Sequence, residues 1–195
     1  MPLQMIPASK DLLSLYSQAL KDVTGSQCDE SKVCHIPCGT LFEEDLLAGA
    51  GLEAVVVRGC RVLYLGNWIT GGDAKSAGGV TICEIPNATE KMSSSLHSFA
   101  QGDLASLIYQ RINEVQKLAQ LKKNAYDLHF LTVPEIQFQA LHLVSRCSAE
   151  DIVVPVVSGD PRLSIGAVLK ASEFLAIART IATARAKRRR SSLSS

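Results

Sequence analysis

The stretch AVVVRGCRVLYLGNW, residues 54–68, decides how the rest of the chain is read. Two aliphatic and β-branched runs, 54–57 and 62–68, flank Arg58-Gly59-Cys60-Arg61. Such runs suit a pleated, half-buried surface, and a glycine between two of them signals a reversal. The stretch therefore predicts a β-hairpin turning at 58–61. A glycine-rich loop, TGGDAKSAGG (70–79), leads from it to a third strand, VTICEI (80–85), closed by Pro86-Asn87.

Working outward, Ser9 caps a predicted first helix over 10–22, with Leu12, Leu13, Tyr16, Leu20 and Val23 at helical spacing. VCHIP (33–37) reads as a short extended piece. Thr40 and Glu43 fit a capping box opening a short helix that Gly49 and Gly51 stop. Asp103 caps a long helix, 104–123, whose Leu104, Leu107, Ile108, Ile112, Val115 and Leu118 form one apolar stripe. Three strands follow, at 126–133, 136–144 and 151–157, the last two as a second hairpin. Pro155 cannot donate to a ladder, which points to an edge or a bulge there. Ser172 and Glu173 open a final helix whose Phe174, Leu175, Ala178, Ile181 and Ala182 form a buried face.

The expected fold class is α+β: a mainly antiparallel sheet of five to six strands, a long central helix, and terminal helices packed on the sheet. Residues 1–184 make one domain, and 185–195 a basic, serine-rich flexible tail. This order of elements resembles that of the profilin-like small-molecule-sensing and scaffold folds.

Composition bounds the class. Hydrophobic residues are 47% and charged residues 20%, the balance of a globular chain. Aromatics are only 5%, so the core is expected to be aliphatic. Net charge is +1, yet Arg185, Lys187, Arg188, Arg189 and Arg190 sit together near the C-terminus. Without them the body is mildly acidic, so nucleic acid or an anionic membrane would meet the chain through the tail only. Arg189-Arg190-Ser191-Ser192-Leu193 also fits the pattern of basophilic kinases, making Ser192 a phosphorylation candidate. The N-terminus lacks a signal-peptide pattern and no apolar run is long enough to span a bilayer. A cytoplasmic location with reduced thiols follows as the expectation.

The densest chemistry is CDESKVCHIPCGT (28–40), with Cys28, Cys34, His35 and Cys38. Four such donors are enough for zinc, but the spacing is not the short knuckle that folds two thiolates onto one ion. In an extended VCHIP, Cys34 and His35 point to opposite faces. Cys38, just ahead of a helix capped at Thr40, would feel the positive end of the helix dipole and favour its thiolate. Glu43, Glu44 and Asp45 in the same turn oppose that. The loop 70–79 lacks the order of a phosphate-binding loop, and Asn67 and Trp68 at its base are candidate partner contacts. His129 and His142 read as sheet histidines with a satisfied nitrogen.

These readings make the chain a non-enzymatic binding or adaptor protein, self-associating or contacting a protein partner, with no cofactor expected. The alternative is a thiol enzyme or zinc protein using Cys34, His35 and Cys38.

Overall fold

A computed structural model of the chain describes residues 3–4, 10, 13–14, 17–18, 21, 33–64, 81–86, 98–101, 103–118, 121, 124–147 and 149–192. The strands are β1 (Leu3–Gln4), β2 (Val33–Thr40), β3 (Val56–Tyr64), β4 (Thr81–Pro86), β5 (Ser98–Gln101), β6 (Tyr126–Val133), β7 (Phe138–Ser145), β8 (Ile152–Ser158) and β9 (Leu169–Lys170). Six of these span six residues or more and form the body of one mixed sheet. The helices are α1 (Glu43–Leu47), α2 (Asp103–Val115) and α3 (Ala171–Ser192). The chain is thus α+β, with a mixed sheet and a C-terminal helix. The described residues of the predicted first helix, Lys10, Leu13, Ser14, Ser17, Gln18 and Lys21, are helical.

Two antiparallel meanders, β2-β3-β4-β5 and β6-β7-β8-β9, lie side by side. They join where β2 runs parallel to β6, with Cys38, Gly39 and Thr40 opposite Phe130, Leu131 and Thr132. β1 pairs parallel to the start of β6, along the same edge that β2 uses. α2 lies in the connection from the first meander to the second.

The opening stretch does not turn. Residues 56–64 form one continuous strand, and Gly59 lies opposite Cys38 where the register shifts by a residue. Cys38 pairs with Gly59 and Gly39 with Val57, so Arg58 is the extra residue of a bulge. Bulges and turns both use glycine, and only the partner strand distinguishes them. VCHIP in turn grows into the full β2, in the middle of the sheet. The Pro155 expectation holds in its bulge form: Gln139 pairs with Val157 and Ala140 with Pro155, leaving Val156 as the inserted residue.

Among the described residues, the sheet is covered on both faces where β6, β7 and β8 lie. On one, Ile108, Ile112 and Val115 of α2 pack over Ile36, Leu128, Phe130, Leu141 and Val154. On the other, Phe174, Ala178, Ile181 and Ala182 of α3 pack over Leu131, Val133, Phe138, Ala140 and Val153. Phe130 and Leu131, consecutive on β6, serve opposite cores, as strand alternation requires. Phe138 stacks on Phe174 with centroids 5.0 Å apart. α2 ends at Val115, earlier than its apolar stripe predicts. The chain tightens there into i→i+3 bonds, Leu118 N–H to the Val115 carbonyl at 2.9 Å and Leu121 N–H to the Leu118 carbonyl at 3.1 Å. α3 runs on to Ser192, past Ala184, where the sequence suggests a body giving way to a tail.

Candidate functional site

Of the cysteine cluster, Cys28 lies outside the described residues, as do Asn67, Trp68 and the glycine-rich loop. Cys34 and His35 are neighbours on β2. Cys38 sits within β2, half-buried against the α2-side core, its thiol 3.6 Å from the Ile36 carbonyl. It does not precede a helix directly. Thr40 ends the strand, and α1 begins at Glu43 with Phe42 as its cap residue. The reach-back bond comes from Asp45, whose carboxylate accepts the Phe42 N–H at 3.2 Å, not from Glu43. The dipole argument for a thiolate at Cys38 thereby loses its basis. Among the described residues no three His, Cys, Asp or Glu side chains are grouped to hold a metal ion.

A polar constellation that spacing alone does not reveal lies on the α3-side face. His129 on β6 and His142 on β7 are directly paired across strands, their rings edge to face at 6.2 Å. His142 is buried, and its Nε2 lies 2.9 Å from Asp151 Oδ2. Asp151 Oδ1 accepts the Ser145 N–H at 2.8 Å, so one carboxylate ties the end of β7 to the start of β8. Burial pushes Asp151 up, but the His142 bond and the Ser145 amide together hold it below the usual carboxylate range. Burial lowers His129, and the neighbouring His142 lowers it further. Burial also lowers His35, whose Nδ1 has no hydrogen-bond partner. The group orients the His142 imidazole and acts as a cross-strand clamp between β7 and β8.

Cys147, in the β7–β8 connection, is exposed and lies 3.5 Å from the Ser145 hydroxyl. That hydrogen bond, with backbone amides of the same turn, lowers its thiol below the ordinary value. If any described thiol is favoured as a thiolate it is this one, which the sequence does not single out.

The basic residues of the predicted tail are helical. Arg185, Lys187, Arg188, Arg189 and Arg190 lie in the last turns of α3 and are exposed. Here α3 runs against α1. Arg189 forms an ion pair with Glu43, whose side chain is only 8% exposed against 60% for the arginine. Ten residues back, Arg179 donates to the carbonyls of Gly49 and Ala50, each at 2.9 Å. The two arginines fasten α1 at both ends, and Leu46 and Glu43 turn inward between them. The outer face of α1 carries Glu44 and Leu47, one turn apart, with Leu47 48% exposed. Val56 and Val57, at the start of β3, are also exposed, where β4 pairs with β3 only from Gly59 onward. Glu44, Leu47 and the basic end of α3 make a shoulder on the α3 side of the sheet, whereas Val56 and Val57, consecutive on β3, face opposite sides.

No described helix is long and apolar enough to cross a membrane. No protein-family model, no curated protein and no solved structure matches the chain.

Proposed function

We propose that the chain is a non-enzymatic binding protein acting through protein–protein contacts, and that its first partner is a second copy of itself. The observation that carries this reading is the α1–α3 shoulder. A two-fold interface brings one surface patch against itself, so the patch must be self-complementary. The shoulder offers both signs of charge, acidic Glu44 on α1 and basic Arg185, Lys187, Arg188 and Arg190 on α3, beside exposed Leu47. Rotated by a half-turn, the carboxylates of one copy can meet the cations of the other beside the apolar Leu47. The two cores over β6, β7 and β8 support the same reading, because they occupy both faces there. The basic end of α3 remains the place for an accessory polyanion.

Zero-length carbodiimide cross-linking of mixed isotope-labelled and unlabelled chains tests it. Mixed-isotope links between Lys187 and the α1 carboxylates are the expected result. Links found only within single chains would count against the shoulder as a self-contact.

A further inference from the structure

We propose that Ser192 is a phosphorylation site for a basophilic serine/threonine protein kinase, and that its phosphate unlatches α1 by drawing Arg189 away from Glu43. The inference goes beyond the binding reading and stands without it, because every part is measurable on the isolated chain. In sequence, Arg189 and Arg190 stand three and two residues before the acceptor and Leu193 follows it. In structure, Ser192 is the last helical residue and is exposed, and its hydroxyl donates to the Arg189 carbonyl at 2.9 Å. That bond is local to one turn, so the hydroxyl can be presented without disturbing either core.

The transfer takes the γ-phosphoryl of ATP. The Ser192 Oγ–P bond forms as the β,γ-bridging P–O bond breaks, the hydroxyl proton passes to the kinase's catalytic carboxylate, and ADP leaves. The product carries a charge of about −1.5 to −2 at neutral pH. Arg188 and Arg189 lie four and three residues earlier, on the helix face that Ser192 shares. A phosphate there competes with the single Glu43 carboxylate for the Arg189 guanidinium. It also sits at the C-terminal, negative end of α3, where it frays the last turn. Both effects withdraw Arg189 in the same direction.

Glu43 cannot absorb the loss in place. It is buried, and its Oε1 already has no hydrogen-bond partner. Without the guanidinium it becomes a buried carboxylate lacking a cation, a state relieved by moving into water. α1 is five residues long and Glu43 is its first, so the Glu43 end swings while Arg179 keeps the Gly49–Ala50 end fastened. The opening is a hinge at one end of a short helix.

The test treats the full chain with a purified basophilic kinase, ATP and magnesium. Peptide mapping then locates the phosphate, and hydrogen exchange is followed by mass spectrometry. Expected are phosphate on Ser192, several-fold faster exchange in peptides covering 41–48, and unchanged exchange across β7. Arg189→Gln, which leaves the Glu43 carboxylate without its cation, should speed the same peptides without kinase. Phosphate that goes elsewhere, with Ser192→Ala labelled like the parent, overturns the site. Unchanged exchange at 41–48 in the phosphorylated chain or in Arg189→Gln overturns the latch.

Discussion

At the scale of single residues, the clearest chemistry is a set of histidines kept neutral by burial. His35 and His129 bind protons less readily in the folded chain than in the unfolded one. The unfolded state therefore takes up more protons below about pH 6.5, and stability falls as pH drops through that value. Asp151 titrates in the same sense in a lower window. Its depressed carboxylate contributes stability above about pH 4 that is lost on further acidification. Urea unfolding midpoints should hold steady above pH 7 and decline from about pH 6.5 toward 5. His129→Gln should flatten part of that decline, and an unchanged slope would refute burial of a neutral His129. His142 is legible in the sequence as a sheet histidine with a satisfied nitrogen. Asp151 is not, because its partnership with His142 exists only once β7 and β8 are paired in register. The same dependence hid Cys147, whose acidity comes from a turn conformation.

At the scale of elements, hydrophobic runs located most strands and left their pairing open. AVVVRGCRVLY holds the right residues for β structure, yet the same glycine serves a turn or a bulge until β2 is laid beside it. The bulge has a measurable consequence at Gly39. A Cβ placed there would lie 2.2 Å from Val55 Cγ1, a stiff β-branched side chain packed on the α3-side core. Gly39→Ala is expected to destabilise the fold by about 1–3 kcal/mol through overpacking, read as a lower urea midpoint with unchanged m-value. A neutral substitution would show that β2 and Val55 are not so closely apposed. On the other side of the same core, Phe174→Ala removes a fully buried ring stacked on Phe138. It should cost about 3–5 kcal/mol, whereas exposed Phe-free positions of α3 such as Ala176→Ser should change little. The buried face of α3 was legible residue by residue, because its spacing is helical throughout. The cap of α1 was not: Thr40 and Glu43 fit the pattern, but strand pairing carries β2 through Thr40 and moves the cap to Phe42.

At the scale of the whole molecule, charge is arranged to hold α3 on the body. Removing residues 185–195 deletes Arg189 and leaves the buried Glu43 carboxylate without its cation. The truncated chain is expected to lose about 1–3 kcal/mol, the cost of an unsatisfied buried polar group. A truncation that left the urea midpoint unchanged would mean that the basic end is an appendage. The basic run was visible in the sequence as a run of charge. Its place against α1 was not, since that depends on where two helices far apart in sequence meet on one face of the sheet. The central claim concerns what this shoulder does. Sedimentation equilibrium of the full chain, compared with Leu47→Glu, measures it most directly. The expected result is reversible self-association of the parent chain that weakens at high salt and is lost in Leu47→Glu; a parent that stays monomeric across the concentration range, or a Leu47→Glu chain that associates equally well, would contradict it.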